Sequence, residues 1–255
     1  MENQGNRSVV RALTILKALA DEAELSLTSI SQIAGLSKGT TYRFLKTLES
    51  EGFVTRRDNL LYSLGIVMVR LGATAEKSNP LISVSEPYLK KLSEQTSETV
   101  SLNVVMNDKR LCIKKIESLH HVRDFIEMNK LLPIHQGASG TVMLAFLEES
   151  EADKVISSID DPGFDSDRLR IQLEEIRRIG YARSRNTRVA GAAAVAAPIF
   201  DKSGRLAGGI GLSGPTIRFT EEMEKGYIHL VRQCASEISY HLGYADAGYA
   251  GLPSV

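Results

Sequence analysis

Apolar residues at Val9, Ala12, Leu13, Leu16, Leu19 and Ala20 recur at i, i+3, i+4, i+7, i+10 and i+11, the stripe of an amphipathic helix. A second, shorter helix is predicted around Leu27, Ile30 and Ile33, with Ser26 or Thr28 as its cap, and it stops at Ala34-Gly35. Ser37 offers a capping oxygen to a third helix, whose apolar set is Thr41, Phe44, Leu45 and Leu48 and which Gly52 ends. Two β-like runs follow, 53–57 and 60–64. Asp58-Asn59 between them predicts a hairpin with a two-residue turn.

From 66 to 79 the chain is apolar almost all round, with Ile66, Val67, Met68, Val69, Leu71, Ala73 and Ala75. Such a helix needs cover that the small preceding domain cannot supply. The pattern predicts a linker helix buried against a partner chain and closed by Pro80. Beyond it the predicted elements are a helix from about 85 through Tyr88, Leu89 and Leu92, and strands at 99–106 and 111–116 around Asn107-Asp108. A third strand is expected near 123–128, a helix over 139–147, and acidic helices between 149 and 178. Strands at 193–200 and 206–212 flank the turn 201–204. A last helix, capped by Thr220, buries Tyr227, Leu230, Val231, Cys234 and Ile238. Hairpin-paired strands with helices segregated between them predict an α+β domain, its antiparallel sheet covered on one face. The expected division is a domain of three helices and a hairpin at 1–65, a linker or dimerisation helix at 66–82, a second domain at 83–243 and a disordered Ala/Gly-rich tail at 244–255.

Composition narrows the class. With 43% hydrophobic and 24% charged residues and zero net charge, the 255-residue chain is neither disordered nor uniformly basic. The average hides two patches: residues 37–57 carry a net charge of +3, whereas 148–175 carry −7. Cys112 and Cys234 each sit in an apolar stretch without metal-ligand spacing and read as core thiols. The polar amino terminus lacks a signal-peptide core, and the longest apolar run falls short of the ~20 residues of a membrane span. The expectation is a cytoplasmic protein without membrane contact.

The basic patch coincides with helix, sharp turn and helix at 26–51. Small Ser31 faces the second of these helices, Gly35 permits the turn, and Leu36, Phe44 and Leu45 lock the pair. Lys38, Gly39, Thr40, Tyr42, Arg43 and Lys46 form the exposed face of a helix suited to the major groove. Thr28, Ser37 and Thr41 complete the candidate DNA contacts around it. Arg56 and Arg57 beside the hairpin tip make that hairpin a wing. The expected partner is double-stranded operator DNA.

Residues 7–65 resemble the DNA-binding domain of the IclR-type bacterial transcriptional regulators. The resemblance rests on Arg11-Ala12-Leu13-Thr14-Ile15-Leu16, on Gly35-Leu36-Ser37 through Thr40, Arg43 and Leu45, and on Tyr62-Ser63-Leu64-Gly65. It extends to about residue 243 through Ala197-Pro198-Ile199-Phe200-Asp201, Ile210-Gly211-Leu212-Ser213-Gly214-Pro215 and Phe219-Thr220-Glu221-Glu222. It implies a sequence-specific regulator with a GAF-like effector-binding domain, forming a homodimer or a dimer of dimers. It also implies ligand-binding positions: Ala138, Ser139 and Gly140 at a helix start, Ala192, Ala194, Gly211 and Ser213 on the opposite wall, and His121 with Asp124 at the rim. Where the family carries acidic residues before the last hairpin, this chain has Arg185-Asn186-Thr187-Arg188, so Arg185 and Asn186 join the candidate set.

Residues 177–188 hold five arginines and no acid. An arginine fork opposite a helix amino terminus favours a carboxylate, so the expected effector is a small organic anion. No cofactor and no metal are expected. The string Gly209-x-Gly211-x-x-Gly214 lacks the following helix of a dinucleotide site, because Pro215 stands there. His120 and His121, adjacent on a strand, would point to opposite faces and could not share one ion. Ser139 or Ser213 as nucleophile would need a base, for which only His121 and His135 are near, and no nucleophile elbow surrounds either serine. The other function classes are a small-molecule-processing enzyme and a protein-interaction scaffold.

Overall fold

The computed structural model describes residues 6–124, 126–160 and 163–245, and the chain divides into two units, 1–78 and 79–255. Most of the tail expected to be disordered, 246–255, lies outside the described residues.

The N-terminal unit runs α1 (Arg7–Asp21), α2 (Leu27–Ile33), α3 (Lys38–Ser50), β1 (Val54–Arg56), β2 (Tyr62–Leu64) and α4 (Ile66–Ser78). Ile15, Ala18, Leu19, Leu25, Ile30, Leu45, Val54 and Tyr62 form its core. The core face of α1 is Ile15, Ala18 and Leu19, so the predicted stripe holds at Leu19 and at Leu16, which packs beside it, but fails at its start, where Val9 and Leu13 are exposed, as is Val10. Apolar residues occupy two faces of α1, and spacing alone does not say which one the domain covers. The wing turn also differs. Arg57 N–H donates to the Leu61 carbonyl and Leu60 adopts φ +64°, so three residues, 58–60, form the loop with its left-handed position last. On α4 the apolar face is open: Ile66 is 77% and Val69 66% exposed.

The C-terminal unit begins with α5 (Pro80–Thr96), β3 (Thr99–Met106), β4 (Lys109–Ile116), β5 (Leu131–Pro133), α6 (Gly137–Ala145), α7 (Glu149–Ser157) and α8 (Ser166–Ile179). It continues with β6 (Ala182–Arg185), β7 (Ala192–Phe200), β8 (Leu206–Pro215), a 3-10 turn (Thr216–Arg218) and α9 (Glu221–His241). Pro80 opens α5 instead of closing α4. The Asn79 side chain accepts from the Leu81 and Ile82 N–H groups, and a proline at the first helical position has no N–H to waste.

The six strands form one antiparallel sheet in the order β5-β4-β3-β8-β7-β6. The strand expected near 123–128 is replaced by β5. Asn129 turns the chain at φ +59° and donates its N–H to the Cys112 carbonyl, and only then do residues 131–133 meet β4. His120 and His121 accordingly lie in a bend, not on a strand. β6, at the other edge, went unpredicted because its Ala-Arg-Ser-Arg sequence has no buried run.

The sheet is covered on both faces, not one. Val100, Leu102, Val195, Ala197, Ile210 and Leu212 pack with α5 and α9, around Leu89, Leu92, Val231, Ala235 and Ile238. Their neighbours one residue along face α6, behind which α7 and α8 add Ala152, Val155, Leu169, Leu173 and Ile176. Period-two alternation thus serves two cores, which removes the polar face that a one-sided sheet would display.

Candidate functional site

In the N-terminal unit, α2 and α3 are set by two serine caps. Ser26 Oγ accepts from Ser29 N–H at 3.1 Å and Ser37 Oγ from Thr40 N–H at 3.2 Å. Between them Gly35 takes φ +62°, and Leu36 N–H donates to the Ser31 carbonyl. Ser31 is buried and its hydroxyl donates to the Thr28 carbonyl, so a small residue at the helix crossing satisfies itself locally.

Lys38, Gly39, Tyr42, Arg43 and Lys46 are exposed on one side of α3. Lys38, Arg43 and Lys46 make no ion pair with any described residue. Thr40 is half-buried, its hydroxyl 2.9 Å from Ser37 Oγ. Thr41 departs from the predicted contact set: it is fully buried and donates to the Ser37 carbonyl at 3.1 Å, on the core side of α3. Thr28 and Ser37 are exposed beside it. A groove between α1 and α3 is lined by Arg11, Thr40, Tyr42, Arg43 and Lys46, among others, which adds a cation that the recognition-helix pattern did not single out. On the wing, the Arg56 guanidinium lies 5.8 Å from the Tyr62 ring centroid, and Arg57 Nε is 3.6 Å from Glu24 Oε1. Burial pushes the Tyr62 hydroxyl pKa up while Arg56 opposes it, so that ring stays neutral beneath its cation.

In the C-terminal unit, a cavity of about 50 Å³ lies between the sheet and the start of α6. Of the ligand-binding positions that the resemblance implied, Asp124, Ala138, Ser139, Ala192, Ala194, Gly211 and Ser213 line it. At Gly211 a Cβ would come within 2.4 Å of Ser139 Oγ and 3.1 Å of Ser101 Oγ, so only hydrogen lets α6 and β3 approach there. Four other expected residues are not among the described lining residues. Gly140 sits behind, where a Cβ would fall 2.2 Å from the Ile134 carbonyl oxygen. His121 is exposed. Asn186 Oδ1 accepts from Gly191 N–H at 2.7 Å and shapes the loop 186–191. Arg185 donates to the Phe219 carbonyl at 2.5 Å and to Glu224 Oε2 at 2.9 Å, which draws it toward α9.

The cation that does line the cavity from this segment is Arg188, together with Thr187 and Val189. Among the lining residues that sequence reasoning missed is Arg110 on β4. It lines the cavity at 6% exposure, and its Nη1 donates to Asn103 Oδ1 at 3.0 Å. Its one sequence cue is parity: Arg110 lies two residues from buried Cys112, on the inward side of the strand. Ser184 also lines the cavity, and its hydroxyl accepts from Ala138 N–H at 3.1 Å, capping α6 from the neighbouring strand. Among the described residues no group of His, Cys, Asp and Glu is arranged to hold a metal. No described helix is long and apolar enough to cross a membrane.

With both sites described, known proteins supply the comparison. The model of the IclR helix-turn-helix domain matches residues 8–58, and that of the bacterial transcriptional regulator IclR C-terminal region matches 73–240. The HTH-type transcriptional regulator KdgR of Dickeya chrysanthemi is 32% identical over 246 residues, covering 94% of this chain and 81% of that protein. KdgR of Escherichia coli (strain K12) is 30% identical, covering 94% of each. The crystal structure of an IclR transcriptional regulator from Alicyclobacillus acidocaldarius superposes with a TM-score of 0.83 at 26% identity, covering 93% of this chain and 99% of that one.

Proposed function

Because the chain belongs to the IclR family of bacterial transcriptional regulators, a DNA-binding regulator with an effector-binding C-terminal domain, we propose a specific division of labour among its residues. α3 enters the major groove, with Arg43 reading a base edge and Lys38, Lys46, Arg56 and Arg57 meeting phosphates. Arg11 contributes from α1. The exposed apolar residues of α4, with Val9, Val10 and Leu13 of α1, form the contact of a homodimer or a dimer of dimers, which reads two operator half-sites related by a two-fold axis.

The effector is a small carboxylate held in the cavity beside Ser139, Asp124 and Arg188. It acts by preferring one of the DNA-competent and DNA-incompetent states, a difference of typically ~1–3 kcal/mol. The chain acts by binding, without turnover, in the cytoplasm where its operator lies.

The observation that carries this reading is the row of unpaired cations on α3, held out by a helix whose amino terminus Ser37 caps. Selection of duplex sites from a random library, followed by affinity measured against salt, tests it. The expected result is a recovered palindromic site whose log affinity falls with log salt by about 0.9 per phosphate contacted. Salt-independent binding, or no enriched site, would overturn it.

A further inference from the structure

Among the described residues, six that are not glycine take a positive φ: Leu60, Ser97, Asn107, Asp108, Asn129 and Asn186. All but Leu60 are serine, asparagine or aspartate, whose short polar side chains bond locally and tolerate the left-handed region. Leu60, at φ +64°, is a bulky side chain where hairpin loops of this kind favour glycine. Local hydrogen bonds hold it in that conformation. Leu60 N–H donates to the Arg57 carbonyl at 2.9 Å, and Leu61 N–H donates to Asn59 Oδ1 at 3.1 Å. The side chain itself gains little from the fold: it stands 62% exposed at the wing tip. Neither packing nor turn chemistry accounts for a leucine there.

The wing is stiff at its root and cationic beside its tip. Buried Tyr62 exchanges both backbone hydrogen bonds with Leu25, at 2.8 and 3.0 Å, so a third segment backs the hairpin. The Arg56 guanidinium rests over the Tyr62 ring. Arg57 meets Glu24 at 3.6 Å in a solvent-exposed pair, too weak to keep it from a phosphate. With Asp58 counted, the tip residues Arg56, Arg57 and Asp58 carry 2 − 1 = +1. An exposed aliphatic side chain beside two arginines on a rigid mount suits the duplex minor groove, which is walled by phosphates and admits apolar wedges between base steps. We propose that Leu60 is such a wedge. It enters the minor groove beside the half-site read by α3, partly unstacks one base step and bends the duplex, by ~20–90° as wedges of this kind do. Pyrimidine–purine steps, TA or CA/TG, yield most readily, so Leu60 selects sequence at a position where no side chain hydrogen-bonds a base. This rests on the reading that α3 and the wing dock on operator DNA.

The test uses the full chain and the duplex that it selects from a random library. Energy transfer between dyes at the two duplex ends reads the bend, titration reads affinity, and thermal melting reads the fold. Leu60→Asn places a residue at home in the left-handed region and removes the wedge. That variant is expected to melt at or above the wild-type temperature, to bind the selected duplex at least about fivefold more weakly, and to leave it nearly straight. Leu60→Met keeps an apolar wedge and should bind and bend as the wild type does. Exchanging the TA or CA/TG step under the wing for a stiff AA step should weaken the wild type and leave Leu60→Asn unaffected.

The proposal is overturned if the wild-type complex is straight, if Leu60→Asn bends the duplex as the wild type does, or if the step exchange weakens both chains equally. It is also overturned if Leu60→Asn melts lower, because the leucine then serves the fold. A changed sedimentation of the free Leu60→Asn chain overturns it too, because the leucine then meets a second copy. Salt-dependent binding by the wild type without a bend removes the wedge and leaves the docking of α3 standing, whereas loss of salt-dependent binding removes that docking itself.

Discussion

Arg218 grips Glu98 with a two-pronged contact, Nε on one carboxylate oxygen and Nη2 on the other at 2.9 Å. Glu98 is 1% exposed, and the same Nη2 donates to the Val122 carbonyl at 3.0 Å. One guanidinium therefore ties the 3-10 turn after β8 to the start of β3 and to the segment that leads to Asp124. Arg218→Met leaves a buried carboxylate without its cation. We expect a loss of about 3 kcal/mol in urea unfolding of the C-terminal unit, at the low end for a broken buried pair because the arginine side chain is 28% exposed. Adding Glu98→Leu to that variant should recover part of the loss, and a double mutant less stable than Arg218→Met alone would contradict the assignment.

Arg43 and Lys46 should separate specificity from affinity. Arg43→Ala is expected to cost ~1–3 kcal/mol on the selected operator and to relax preference at one base pair. Lys46→Ala should weaken all sequences alike and reduce the salt slope by ~1. Equal affinity of wild type and Arg43→Ala across several salt concentrations would remove α3 from the groove.

Ser37 has two jobs that substitution can divide. Ser37→Ala deletes the cap to Thr40 N–H and should cost ~1 kcal/mol of stability. Ser37→Asp keeps an accepting oxygen at the helix amino terminus, so stability should stay near wild type. In the proposed groove contact its charge would face phosphate, so DNA affinity should fall more than for Ser37→Ala. Urea melts and DNA titrations of the two variants give both readouts.

Val69→Asp places a charge in the apolar face of α4. The wild type is expected to sediment as a dimer and Val69→Asp to shift it to monomer, with operator affinity lost in parallel, while Val69→Ala stays dimeric. A monomeric wild type at micromolar concentration would refute self-association through this face.

Burial pushes the Cys234 thiol up to about 12 and raises the Cys112 thiol as well. Neither should react with iodoacetamide at pH 8 in the folded chain, and both should react in urea. The folded pKa lies above the unfolded value of ~8.5, so this contribution to stability is complete below pH ~8.5 and declines as pH rises toward about 12. Rapid native labelling of either cysteine would show that its surroundings open.

The local chemistry of the helix pair was readable because each decision lies within a few residues: Ser26, Gly35 and Ser37 cap and turn the chain by contacts to near neighbours. Thr220 could be read as the cap of α9 for the same reason, and its hydroxyl accepts from Met223 N–H. The misread positions are those that distant partners decide. Which stripe of α1 is core depends on Leu25, Ile30 and Tyr62. Arg185 sat in the right segment, but Glu224, 39 residues on, captures it. Arg110 is recognisable as a site residue only once Asn103 and Arg188 stand around it, and no local spacing records that meeting. Thr41 carries a hydroxyl on a basic helix, yet its i, i+3, i+4 relation to Phe44 and Leu45 already marked it as core.

The alternation along β3, β7 and β8 gives evolution two separately adjustable surfaces. Val100, Leu102, Val195 and Leu212 hold the α5 and α9 side together, whereas Ser101, Ala194, Gly211 and Ser213 face the cavity from the same strands. A substitution at the second set alters what the pocket admits while the first set keeps the sheet folded. A lineage built on this frame can exchange one effector for another by a few inward-facing changes, without crossing an unfolded intermediate genotype. Gly211 is the point where that freedom ends, because any side chain there collides with Ser139 before it meets a ligand.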